Sequence, residues 1–218
     1  MKILGCIRYG LILLFSFTFL FKIQAQHVYP KGKYHTINQL MFDSVQSNSA
    51  CEVYVKSEGL YTQYIIYDSI SGKKIAPVFA YFDGTDLFLN QGVYGSGKFY
   101  VKSLEKGRYY YFEDMYYSKA YMGAIVGGAV FGLVGAAIVY GVMNSSKKKS
   151  TIDFTDVPSE KLCGIVFDTQ TGNIIGLSVE NITRVFMSEP EIVSYFEESR
   201  KKIEDIRKCV QQFNDKHK

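Results

Sequence analysis

An uncharged, glycine-rich apolar run, AYMGAIVGGAVFGLVGAAIVYGVM, fills residues 120–143 of a 218-residue chain that is otherwise polar and rich in tyrosine. A spanning helix needs roughly 20 apolar residues to cross the hydrocarbon core, and this run carries no side chain whose charge would have to be desolvated. The run therefore predicts a transmembrane helix, with membrane lipid as a partner. Lys147, Lys148 and Lys149 follow it closely, whereas Glu113, Asp114 and a lone Lys119 precede it. By the positive-inside rule the C-terminal part is expected in the cytoplasm. Tyr116, Tyr117 and Tyr121 at one end and Tyr140 at the other suit the two interfacial aromatic belts.

At helical spacing Ala120, Ala124, Gly128, Gly132 and Ala136 fall on one stripe, and Gly123, Gly127 and Gly135 form an adjoining row. Small residues at this spacing let two helix backbones approach closely in lipid, where dispersion and packing drive association. A homo-oligomer held by this helix-packing face is expected.

The N-terminus, MKILGCIRYGLILLFSFTFLFKIQAQ, has a basic start, an apolar core and a small residue, Ala25, before the polar change. Residues 1–25 read as a secretory signal peptide, cleaved after Ala25. Location in the cell membrane or envelope follows, with the N-terminal domain exported and the C-terminal part cytoplasmic. Lys2, Arg8 and Lys22 supply three of the formal +4 charges, so the remainder, at +1, is close to neutral. Such a balance argues against nucleic acid as a partner, which needs a sustained excess of Lys and Arg.

Between Tyr34 and Tyr117 short segments rich in Tyr, Phe, Val and Ile are punctuated by Gly, Asp, Asn and Ser, the pattern of antiparallel strands. CEVYVK alternates strictly. YTQYIIYDS turns at Ser71-Gly72, and IAPVFAYFDG turns at Asp83-Gly84 into TDLFLN, giving two successive hairpins. GKFYVKSL and RYYYFEDMYY around Lys106-Gly107 read as a third, and KLCGIVFDTQTGNIIGLS as a fourth. Ser188, Pro190 and Glu191 signal the start of a helix. Within it Ile192, Phe196, Ser199, Ile203, Ile206, Val210 and Phe213 recur at heptad spacing, predicting one long amphipathic helix to the C-terminus.

The fold class expected is thus α+β: a small antiparallel β domain over residues 26–118, a glycine-rich transmembrane helix over 119–143, a linker over 144–160, and a β-hairpin with a long amphipathic helix over 161–218. One tension is built into this layout. The fourth hairpin has the same character as the earlier strands, and if it completes their sheet, both flanks of the apolar run lie in the periplasm, a single crossing is impossible, and the run is a re-entrant or surface-inserted loop or a short helical hairpin bent at Gly127-Gly128.

No motif carries recognisable chemistry. Gly92 to Phe99 fits GxxxxGK, but Phe99 stands where a phosphate-binding loop needs Ser or Thr, and FYVKSL alternates like a strand where a helix should begin. The acid pairs Asp83 with Asp86 and Glu113 with Asp114 read as solvated turns. Cys51, Cys163 and Cys209 show no metal-ligand spacing and read as small core residues; His27, His35 and His217 stand apart from other ligand types. No catalytic, metal or cofactor-binding residues are named and no cofactor is expected.

FAYFDGTDLFLN, GRYYYFED, the turn in FDTQTGNIIGL and the EPEI-led helix together resemble uncharacterised, signal-bearing envelope proteins of Gram-negative bacteria, in which similar β segments flank a variable, sometimes glycine-rich insert. The apolar run also resembles the glycine-zipper segments of outer-envelope proteins. The resemblance implies envelope localisation, no known activity, and an envelope protein partner. The function expected is a non-enzymatic, membrane-anchored binding or assembly role with self-association through the small-residue face. The alternative is an envelope enzyme, hydrolase-like, whose site is assembled from scattered residues of the β domain.

Overall fold

The computed structural model describes residues 29–45, 50–59, 61–95, 97–118 and 151–217. The alternating apolar segments form two sheets. The larger contains β1 (Gly32–Tyr34), β2 (Cys51–Ser57), β3 (Gln63–Asp68), β4 (Ala80–Phe82), β5 (Leu87–Asn90) and β6 (Tyr100–Lys102), in the order β1-β4-β5-β6-β3-β2, with every neighbouring pair antiparallel. The smaller contains β7 (Tyr109–Tyr116), β8 (Ile152–Asp153), β9 (Lys161–Asp168) and β10 (Ile174–Leu177), in the order β7-β9-β10-β8, and only β8 with β10 is parallel. Four helices complete the described structure: α1 (Ile37–Met41), α2 (Ile182–Val185), α3 (Pro190–Glu198) and α4 (Ile203–Lys216).

Because successive strand residues face opposite ways, each strand feeds two cores. Ala80, Phe82, Leu87 and Leu89 from the larger sheet meet Tyr110, Phe112, Cys163, Ile165 and Phe167 from the smaller one, so the main core lies between the sheets. The alternate residues Tyr81 and Phe88 join Ile66 and Tyr100 on the other face of the larger sheet. Tyr109, Tyr111 and Val166 face outward from the smaller sheet and are covered by Ile182, Ile192, Phe196, Ile206, Val210 and Phe213 of the helices. Gly164 is required in that layer: a Cβ there would lie 2.6 Å from the Tyr111 ring.

Turn chemistry behaves as the sequence dictates. Gly72, Gly84 and Gly172 take positive φ of 63°, 101° and 74° at the turns read from Ser71-Gly72, Asp83-Gly84 and Thr171-Gly172. The first and third hairpins do not form as strand pairs: across Ser71-Gly72 only a bridge joins Tyr67 to Lys74 while β3 pairs with β2 and β6, and β7 passes to the other sheet, keeping only a bridge between Glu105 and Tyr111.

Three expectations are corrected. The fold is predominantly antiparallel β with short helices, and among the described residues no helix is long and apolar enough to cross a membrane. The long C-terminal helix is instead two, because Ser199 turns extended after Glu198 and Lys201 takes a φ of 56°, letting α3 and α4 both lie on the smaller sheet. Finally, β7 precedes the apolar run and β9 follows it, yet they pair over eight residues from Tyr109 with Asp168 to Tyr116 with Lys161. Strands hydrogen-bonded in one sheet cannot lie on opposite sides of a bilayer. The topology with an exported N-terminal domain and a cytoplasmic C-terminal part is therefore overturned, and the described residues lend no support to the membrane anchoring and glycine zipper read from the run. The stripe residues Ala120, Ala124, Gly128, Gly132, Ala136, Gly123, Gly127 and Gly135 lie outside the described residues, as does the segment read as a signal peptide.

Candidate functional site

The most unusual chemistry sits at the seam between the two sheets. Asp114 shares its face of β7 with Tyr110 and Phe112, so strand alternation points it into the space between the sheets, where only 1 % of it is exposed. A buried carboxylate needs donors on every lone pair. Gln91, in the 3-10 turn Gln91–Val93 that follows β5, gives its Nε2 to both carboxylate oxygens at 2.9 Å, Tyr94 donates its hydroxyl to Oδ2 at 2.5 Å, and the Met115 N–H reaches Oδ1 at 2.9 Å. Burial nevertheless dominates and pushes the Asp114 carboxyl up to about 6, against the downward pull of Tyr94, Gln91 and Met115. Tyr94 in turn is pushed well above the usual phenol range by burial and by the neighbouring Asp114 charge.

The network continues outward through side chains of the larger sheet. Gln63 of β3 donates to Gln91 Oε1 at 3.4 Å, and Ser57 of β2 donates to Gln63 at 3.2 Å. Gly97 makes room for it, since a Cβ there would stand 2.4 Å from Gln91 Oε1 and 2.5 Å from its Cβ. Tyr61, Gln63, Gln91, Tyr94, Asp114 and Tyr117 line a cavity of about 50 Å³ beside the carboxylate. That is well below the roughly 300–1,000 Å³ of ordinary small-molecule sites. Cys163 pairs directly with Asp114 across the β7–β9 ladder, and burial raises its thiol far above the usual range. The network ties the larger sheet to the smaller one and holds a carboxyl in it.

On the opposite face of β7 Glu113 points at the helices. Arg207 of α4 grips Glu113 Oε1 with Nε at 3.1 Å and Nη2 at 2.8 Å, and the Tyr111 hydroxyl adds a third bond at 3.0 Å. Nearby Asn214, also on α4, donates to the Tyr109 carbonyl and accepts the Tyr109 N–H, both at 2.8 Å, standing in for a missing strand neighbour. The pair Glu113–Asp114 is thus a mid-strand pair divided between two cores and not a solvated turn. Asp83, by contrast, does cap its turn, accepting the N–H groups of Thr85 and Asp86 at 2.7 Å. The GxxxxGK segment leads into β6, so no helix N-terminus stands behind it. No disulfide joins Cys51, Cys163 and Cys209; Cys163 and Cys209 are buried.

A second feature lies at the rim of the larger sheet. Ser69 N–H bonds the Ala50 carbonyl at 2.9 Å in the β2–β3 register, which fixes the alternation: Glu52 and Tyr54 turn their backbone groups to β3, while Cys51, Val53 and Val55 turn theirs away. The Cys51 carbonyl takes the Tyr81 hydroxyl at 3.3 Å. Among the described residues the outward N–H and C=O of Val53 and Val55 have no partner, and the Tyr54 and Val55 side chains are half exposed.

The architecture is that of a two-sheet, mainly antiparallel β protein with α2, α3 and α4 on one outer face and a polar clamp at the seam. The chain belongs to the family of unknown function DUF6563, which matches residues 32–217. No curated protein and no solved structure matches it.

Proposed function

We propose that the chain is a non-catalytic binding and assembly protein that works by pairing the open edge of its larger sheet with a strand of a second polypeptide. The observation that carries this reading is β2, a seven-residue edge strand with outward backbone groups at Val53 and Val55 and exposed Tyr54 and Val55 beside them. An edge of this kind is a template for strand addition, in which main-chain bonds supply affinity and alternate side chains supply specificity. The interior supports binding over turnover: the Asp114 oxygens are occupied by the chain's own donors, the Cys163 thiol is held protonated, and the adjacent cavity is small.

Amide hydrogen exchange on dilute protein tests the open edge. The N–H groups of Val53 and Val55 are expected to exchange orders of magnitude faster than those of Glu52 and Tyr54, which are bonded to β3. Equal protection at all four positions in the dilute protein would mean that the edge is covered within the chain, and would overturn the reading.

A further inference from the structure

The exposed edge of β2 is complementary to itself. Its sequence, Cys51-Glu52-Val53-Tyr54-Val55-Lys56-Ser57, is a chemical palindrome about Tyr54, with valines on either side and then opposite charges. When two copies are laid antiparallel about a two-fold axis at Tyr54, Val53 of each faces Val55 of the other. Glu52 of each then faces Lys56 of the other. The backbone alternation agrees with this register. Val53 and Val55 are the residues whose N–H and C=O point outward, so the two Val53–Val55 pairs become hydrogen-bonded pairs and yield four inter-copy bonds. Tyr54, bonded to β3, falls on the axis as a non-hydrogen-bonded pair, where cross-strand side chains come closest.

Competing registers lose this match. An axis at Val53 also satisfies the alternation, but it sets Glu52 against Tyr54 and Lys56 against Ala50, leaving both charges unmatched. Glu52, Tyr54, Val55 and Lys56 are all exposed, so nothing among the described residues stands over the pairing face. The Tyr54 hydroxyl bonds Glu52 and its ring meets Tyr67 edge-on at 5.5 Å, which holds the central tyrosine in a fixed pose beside the strand. A lysine on an edge strand ordinarily discourages pairing, and the irregularity between Val55 and Ser57 turns the strand end aside. In self-pairing the lysine has its own counter-charge, and the bulge, in which Lys56 is the residue without a partner on β3, limits the regular ladder between copies to residues 53–55, with the Glu52–Lys56 charge contacts at its two ends.

From this geometry we infer that the partner of the β2 edge is a second copy of this chain, joined by antiparallel β2–β2 pairing so that two six-stranded sheets run on as one. The contact is isologous, the same patch on both copies, as closed two-fold assemblies require. It rests on the edge-pairing reading above and names its partner.

Charge reversal in the full chain tests it, because Glu52 and Lys56 are exposed and neither reversal disturbs the core. Sedimentation velocity across a concentration series should show wild-type dimers. Glu52→Lys and Lys56→Glu should each weaken dimerisation about tenfold or more, since each creates two like-charged cross-strand pairs by symmetry. The double variant E52K/K56E should return to within about threefold of wild type. A wild-type chain that stays monomeric, a dimer indifferent to both single reversals, or a double variant that is not rescued would each overturn the inference. Amide exchange on the same samples separates this from failure of the broader reading. A monomer with fast exchange at Val53 and Val55 discards self-pairing but keeps an edge open to another polypeptide's strand, and a monomer with slow exchange there discards both.

Discussion

Replacing Phe213 with alanine is expected to destabilise the protein by about 3–5 kcal/mol, a large share of the roughly 5–15 kcal/mol that holds a domain folded. Phe213 is 5 % exposed and lies at the junction of α4 with the smaller sheet. Its ring stacks on Tyr109 with centroids 4.2 Å apart, meets Phe186 edge-on at 5.6 Å, and lies beneath the Arg108 guanidinium at 5.2 Å. Truncation leaves a cavity among rings that cannot close over it, because Tyr109 is fixed by the two Asn214 hydrogen bonds and by the β9 ladder. Urea unfolding followed by circular dichroism gives the free energy, and Phe213→Leu should lose less than half as much. The mutated position lies beyond the apolar run and its main contact, Tyr109, before it. A loss below 1 kcal/mol would mean that the helix and the strand are not packed together.

The second large effect concerns Asp114. Its carboxyl titrates near 6 in the folded protein and at 3.8 in an ordinary setting, so the folded state binds the proton more tightly. The sign follows from linkage: the proton-bound carboxyl favours folding at low pH, and this contribution is lost as pH rises from about 4 through about 6. A gap of about two units corresponds to roughly 3 kcal/mol. Asp114→Asn keeps the shape, retains an oxygen for Met115 and Gln91, and offers an N–H that the Tyr94 hydroxyl can turn to accept. The variant should therefore match the wild type near pH 4 and exceed it by up to about 3 kcal/mol at pH 7, the difference opening between those limits. A difference constant across pH would show that Asp114 is not the titrating group. Asp114→Ala, which strands the Tyr94 and Gln91 donors, should be destabilising by about 1–3 kcal/mol at low pH, where the wild-type charge is absent.

Much of the sheet structure was legible because it is written in local signals. Strict alternation marked β2, runs rich in Tyr, Phe, Val and Ile bounded by turn residues marked β4, β5, β7, β9 and β10, and the Gly72, Gly84 and Gly172 turns were placed by residues chosen for positive φ. What failed was non-local. The pairing of β7 with β9 joins segments separated by residues 117–160, and no local pattern states which strand is whose neighbour. The apolar run has the length and composition of a spanning helix, and only the union of its two flanks in one sheet contradicts that. The break between α3 and α4 was hidden because the heptad of apolar residues continues through it, Ser199 occupying a seam position just where the chain bends. Asp114 was misread for a different reason. A charge beside Glu113 suggests a turn, yet its spacing from Tyr110 and Phe112 places it on the buried face, and that periodicity was the available signal. Gln91 carried no signal at all, since its role depends on the 3-10 turn that aims it across the seam. The palindrome of β2 was readable in sequence, but it has meaning only once β2 is known to be an edge.

The strands on the two flanks of the apolar run form one body. Met115 and Leu162 test this directly, because they are partners across the β7–β9 ladder. The Thr169 N–H bonds the Arg108 carbonyl at 3.0 Å in the same register, which makes Met115–Leu162 a non-hydrogen-bonded pair, with Cα atoms about 4.5 Å apart and within reach of a disulfide. In the full-length chain carrying Met115→Cys and Leu162→Cys, mild oxidation followed by peptide mass mapping should find the 115–162 cross-link in nearly all of the protein, with each single variant as control. Failure of the cross-link to form in folded protein would contradict the account, because it would place the strands before and after the run in separate bodies.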